Sequence, residues 1–212
     1  MNKNEKFVIT INRELGSGGR TIGEKLSKEL QVPFYDKALI QQLKEKLNLS
    51  IDQIEKLKGQ KHNWWADCKR SMMMMPNYVG PQYAGEAENL PDFLITDDIF
   101  KMETEILKGI ADDGSCVIAG RSAFHIFQEH PNHLSILIQA SMQHRIDRLV
   151  QKQGLTPEKA REVIDKVDKG RENYVKKYTG TSRYDTRNYD LVINMDDHTE
   201  EEALDLILKY IK

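Results

Sequence analysis

Residues 7–22 read Phe-Val-Ile-Thr-Ile-Asn-Arg-Glu-Leu-Gly-Ser-Gly-Gly-Arg-Thr-Ile, and no other stretch constrains the fold as tightly. A β-branched apolar run enters a glycine-rich turn. A helical pattern follows at once, with Ile22, Leu26 and Leu30 on one stripe. A strand, a tight loop and a helix in direct succession aim the positive end of the helix at the loop. Gly16, Gly18 and Gly19 allow backbone N–H groups to wrap a phosphate with no Cβ in the way, and Ser17 lies among them. The stretch points to phosphate chemistry.

The remaining chain alternates strands and helices. Nearly continuous apolar runs at Phe7–Asn12, Val32–Tyr35, Cys116–Ala119, Leu134–Gln139 and Tyr189–Asn194 predict strands covered on both faces. Helical periodicity is expected over Thr21–Leu30, Lys37–Leu47, Phe93–Ala111, Met142–Lys152, Pro157–Tyr178 and Glu200–Ile211. Ser141, Thr156 followed by Pro157, and Thr199 mark three helix starts. This order predicts an α/β fold with a doubly wound parallel sheet. One domain over residues 1–212 is expected. Residues 61–91, with Trp64, Trp65 and the run Met72–Met75, interrupt the rhythm. They read either as a flap over a substrate or as a packed surface insertion or oligomer contact.

The bulk numbers exclude some partners. Charged residues make up 30% of the chain and no apolar run reaches the length of a bilayer span, so no membrane partner is expected. The polar N-terminus and the two cysteines, Cys68 and Cys116, predict a cytoplasmic chain with free thiols. A net charge of −2 argues against a nucleic-acid polymer. The oligomeric state stays open.

The loop departs from the phosphate-binding pattern G-x-x-x-x-G-K-[ST]. Taking Gly19-Arg20-Thr21 as its last three residues puts Glu14 in place of the first glycine. Taking Gly16-Ser17-Gly18 as the crest puts Gly19 in the lysine slot. In either register Arg20 or Arg13 must supply the missing charge, and Thr21 offers a hydroxyl to Mg²⁺. A dinucleotide fingerprint is the rival: Asp36 stands about 20 residues on, where an acid would meet a ribose, but Thr21 replaces the third glycine. That rival implies an NAD(P)-dependent dehydrogenase.

Arginines downstream favour phosphoryl transfer. Arg121 follows Gly120 at a strand's C-terminal end, where open α/β sheets bind ligands. Arg145 and Arg148 are three apart on one helix face, which is also the spacing of an ordinary solvated face. Asp165, Asp168 and Arg171 repeat at i, i+3, i+6 and predict a shared face. Residues 176–184, with Lys176, Lys177 and Arg183 in a small-residue loop, complete a cationic lid over about 157–184. Such a lid covers transferring phosphates and keeps water out.

Five segments together resemble the cytidylate kinase-like family of P-loop kinases. They are residues 11–20 (Ile-Asn-Arg-Glu-Leu-Gly-Ser-Gly-Gly-Arg), 33–40 (Pro-Phe-Tyr-Asp-Lys-Ala-Leu-Ile), 117–121 (Val-Ile-Ala-Gly-Arg), 165–174 (Asp-Lys-Val-Asp-Lys-Gly-Arg-Glu-Asn-Tyr) and 189–194 (Tyr-Asp-Leu-Val-Ile-Asn). The resemblance implies a three-layer fold with a five-stranded parallel sheet and a helical lid. It also implies phosphoryl transfer from ATP, with Mg²⁺, to CMP or dCMP. The implied loop lysine falls on Gly19, and the acid after the implied Gly-Arg falls on Ser122. The first arginine of the implied lid motif falls on Ile164. Near the acceptor site Asp36 and Ile40 match, with Lys37 for a serine and Gln42 for an arginine. Carried over, Gly16–Gly19 cradle donor phosphates with Arg20 or Arg13, and Thr21 meets Mg²⁺. Arg121 clamps the acceptor, Asp36 and Lys37 line its site, and Asp168 with Arg171 form the lid. The alternative is a nucleotide-sensing protein of the same fold without turnover.

Overall fold

The structure is a computed structural model, and it describes residues 1–40 and 97–211. Five strands form one parallel sheet in the order β2-β3-β1-β4-β5: β1 (Val8–Arg13), β2 (Phe34–Tyr35), β3 (Cys116–Ala119), β4 (His133–Gln139) and β5 (Leu191–Asn194). Among the described residues, the helical turn at 37–40 aside, the helices are α1 (Gly19–Glu29), α2 (Asp97–Asp113), a single turn α3 (Ala123–Ile126), α4 (Met142–Gln153), α5 (Pro157–Thr179) and α6 (Glu200–Tyr210). The expected insertion at 61–91, Cys68 and most of the expected helix Lys37–Leu47 lie outside the described residues. Among the described residues no helix is long and apolar enough to cross a membrane.

The central strands are apolar on both faces because both are covered. One face sets Ile9, Ile11, Ile136 and Ile138 against Ile22 and Leu26 of α1 and Ala203 and Ile207 of α6. On the other, Val8 and Ile118 meet Ile106, Leu107 and Ile110 of α2. A third cluster packs Leu15 of the loop with Ile146 and Leu149 of α4 and Ala160 and Ile164 of α5. The phosphate-loop candidate is therefore wedged into the core by its own leucine.

Three boundaries differ from the sequence reading. The second strand is shorter, since the Val32 N–H turns back to the Ser27 carbonyl at 2.9 Å. The last strand starts at Leu191, because Tyr189 closes a 3₁₀ turn over Thr186–Asn188. Most consequential, α1 starts at Gly19 rather than Thr21, with Gly18 as its N-cap at φ 85°. Ile22 N–H to Gly18 C=O, at 3.0 Å, is the first rung of its ladder.

Candidate active site

β1 lies between β3 and β4, so the loops after β1 and β3 emerge side by side at the C-terminal edge of the sheet. Pairing of Ile11 with Ala119, and a 3.1 Å bond from Gly120 N–H to the Ile11 carbonyl, fix their relative height. Two adjoining cavities open there. The first is the concavity of the loop, lined by Arg13, Glu14, Leu15, Gly16, Gly18, Gly19, Arg20 and Arg171. The N–H groups of Gly19, Arg20 and Thr21 precede the first rung of α1, so they have no acceptor within the helix. The second is a larger cleft lined, among the described residues, by Arg13, Lys37, Arg121 and Arg171 and by no carboxylate. Arg13 and Arg171 line both.

The loop is held from behind. The Ser17 hydroxyl donates to the carbonyls of Glu14 and Ile138, and Glu14 accepts from Ala140 N–H at 3.1 Å. A Cβ on Gly16 would stand 2.8 Å from the Arg145 carbonyl, so α4 approaches the loop only because that residue is glycine. Asp168, buried in α5, accepts from Leu15 N–H at 3.1 Å and pairs with Arg145 at 2.5 Å, Arg183 at 3.4 Å and Arg171 at 3.7 Å. One carboxylate thus ties the loop to three arginines. Its neighbour in the expected lid face, Asp165, is exposed, because the inward stripe of α5 runs through Ile164 and Asp168 instead.

The structure distributes the expected arginines unevenly. Arg183 lines neither cavity: it is fully buried and donates to Asn12, Asp168 and the Arg13 carbonyl. Burial and the nearby Arg171 push its pKa down. Arg145 likewise turns to Asp168, with Glu14 3.8 Å away. Arg148 packs over Gly18, pairs with Glu200 and donates to the Thr21 hydroxyl at 3.3 Å. Lys25 joins Glu200 from α1 at 2.9 Å. Arg20 lines the loop cavity but sends its guanidinium to Asp36, at 3.0 Å, and Glu24, at 2.9 Å. Asp36 also accepts from Leu39 N–H at 3.0 Å.

Sequence reasoning missed Glu103. Its carboxylate accepts from Arg121 Nε at 3.1 Å and from Nη2, and from the Tyr174 hydroxyl at 3.3 Å. Arg121 also stacks 4.8 Å over the Tyr174 ring. The signal was an acid on an apolar stripe: Glu103, Ile106, Leu107 and Ile110 repeat at i, i+3, i+4, i+7. The backbone gives Arg121 a second mark, since it and Ser122 sit at φ 56° and 54°. Both are in the left-handed region that residues with a Cβ seldom enter.

The loop concavity fits the phosphates of a nucleotide, with backbone donors and a glycine cradle. The Thr21 hydroxyl, expected at Mg²⁺, accepts from Arg148. Among the described residues no group of three acidic, His or Cys side chains converges.

Comparison with known proteins agrees with this architecture. A crystal structure of an uncharacterized protein from Eubacterium ventriosum ATCC 27560 superposes with a TM-score of 0.70 at 24% identity, covering 97% of this chain and 98% of that one. Shikimate kinase from Bacteroides thetaiotaomicron follows at a TM-score of 0.51 and 13% identity, covering 97% and 98%. Both likenesses show the fold, and the second is to a kinase. No curated protein sequence matches. The sequence profile of the cytidylate kinase-like family matches residues 8–197, and on that match the chain belongs to the cytidylate kinase-like family.

Proposed function

We propose that this protein transfers the γ-phosphoryl group of ATP to a nucleoside monophosphate of the CMP or dCMP type. The observation that carries the reading is the pair of adjoining cavities that share Arg13 and Arg171. Backbone donors of the loop, those of Gly19, Arg20 and Thr21 above all, hold the donor phosphates. Lys37 and Arg121 take the acceptor phosphate in the cationic cleft. Arg13 and Arg171, at the junction, stand where charge accumulates on the transferring group, and cations there lower the barrier more than they favour the ground state. ATP brings Mg²⁺, which neutralises part of the triphosphate charge. An acceptor phosphate with a second pKa near 6 is already an anionic nucleophile at neutral pH, so no general base is needed. Asp36 is then a positioning group for Arg20 and the residues after β2.

A coupled ADP-release assay with each nucleoside monophosphate, beside a no-acceptor control, tests this. Turnover that requires a pyrimidine monophosphate supports the reading. ATP binding with no turnover on any monophosphate would replace it with a nucleotide sensor, a reading favoured by the absence of a side chain at position 19.

A further inference from the structure

We infer that the cation of this phosphate loop has changed places with a glycine: Arg13 does the work of the missing lysine from the position of the pattern's first glycine. The inference rests on the donor-site reading above and adds which residue carries the charge and why the other must lack a side chain. With Gly18 capping α1 and Gly19 opening it, the register is fixed. The pattern's second glycine is Gly18, its lysine slot is Gly19, and its first glycine falls on residue 13.

The geometry makes the two positions mutually exclusive. A Cβ on Gly19 would lie 2.5 Å from the Arg13 Cβ, 3.2 Å from its Cγ and 3.1 Å from the Ile138 Cβ. Only one of positions 13 and 19 can therefore bear a side chain. Arg13 fills that space and runs on toward β3, where its Nη1 occupies the place a Cβ on Gly120 would need. Gly120, at φ 82°, suits glycine on backbone grounds as well, and the arginine uses the space beside it. The Arg13 carbonyl is meanwhile held by Arg171 at 3.2 Å and by Arg183, so the base of the side chain is fixed. The arginine lines both cavities from the end of β1, whereas a lysine at 19 would project from the start of α1.

The test is a substitution cycle read by calorimetric titration with an unhydrolysed ATP analogue and Mg²⁺, with melting curves of the nucleotide-free proteins alongside. Arg13→Gly is expected to keep the fold and lose at least tenfold in affinity. Gly19→Lys is expected to lose affinity and melt lower, because the two Cβ atoms collide. Arg13→Gly with Gly19→Lys, which rebuilds G-x-x-x-x-G-K, is expected to return to within about threefold of the parent affinity. Arg13→Ala with Gly19→Lys keeps both Cβ atoms and is expected to fail. Unchanged affinity in Arg13→Gly, or a reverting double variant no better than Arg13→Gly alone, overturns the relocation. A parent protein that binds no ATP analogue would instead overturn the donor-site reading on which it stands.

Discussion

Glu103 is 4% exposed, and its carboxylate lies between the Arg121 guanidinium and the Tyr174 hydroxyl. A buried ion pair contributes little net stability, but removing one partner strands the other. Glu103→Ala and Arg121→Ala are each expected to lower unfolding stability by about 3 kcal/mol. The double variant should lose clearly less than the sum. Urea denaturation measures all three, and additive losses would show that the pair is not a unit. In the ADP-release assay, Arg171→Ala should lower kcat more than it weakens ATP binding, since the charge it meets grows during transfer. Equal losses would make it a ground-state contact. At this scale the sequence exposed the residue types, above all Arg121 after a strand-ending glycine. Their partners were hidden, because Glu103 and Arg121 are joined only by the packing of α2 against β3.

The loop and α1 depend on one close approach. Gly16 has φ 85°, and the Arg145 carbonyl occupies the space beside it. Gly16→Ala therefore meets both a left-handed backbone, worth about 1–2 kcal/mol, and a clash with α4. A stability loss of about 2 kcal/mol or more is expected, with weaker ATP binding by titration. A variant binding ATP as the parent does would place the donor phosphates elsewhere. Thr199→Ala is the contrast within one element: the capping box with Glu202 is lost, for about 1 kcal/mol, and nucleotide affinity stays unchanged. Element identity was legible where periodicity and caps coincide, as at Ser141, Thr156 and Thr199, each of which accepts from a first-turn N–H. The start of α1 was not, because glycines carry no periodic signal and only the hydrogen-bond ladder places the helix end.

For the whole molecule, stability should fall in mild acid through His133. Its ring, bonded to the Thr10 hydroxyl at 2.8 Å, is half-buried on β4, and that desolvation lowers its pKa from 6.5 to about 4 despite the nearby Asp190; His130 adds to the lowering and the Phe127 carbonyl opposes it. The unfolded chain takes up this proton below pH 6.5 and the folded chain only near pH 4. The stabilising contribution, about 3 kcal/mol at most, is present above pH 6.5 and is lost as pH falls toward 4. Urea midpoints at pH 7 and pH 5 should differ more for the parent than for His133→Gln, and equal differences would remove His133 as the cause. By itself the sequence determined the parallel α/β class and the strand–loop–helix at the N-terminus, because apolar continuity, period and glycine placement act locally along the chain. It also narrowed the candidates for the charge the loop lacks to two arginines, Arg13 and Arg20. Only the tertiary structure favours one of them. That choice turns on the 2.5 Å between a strand-end Cβ and the empty place on Gly19, a distance between residues that the loop itself brings together.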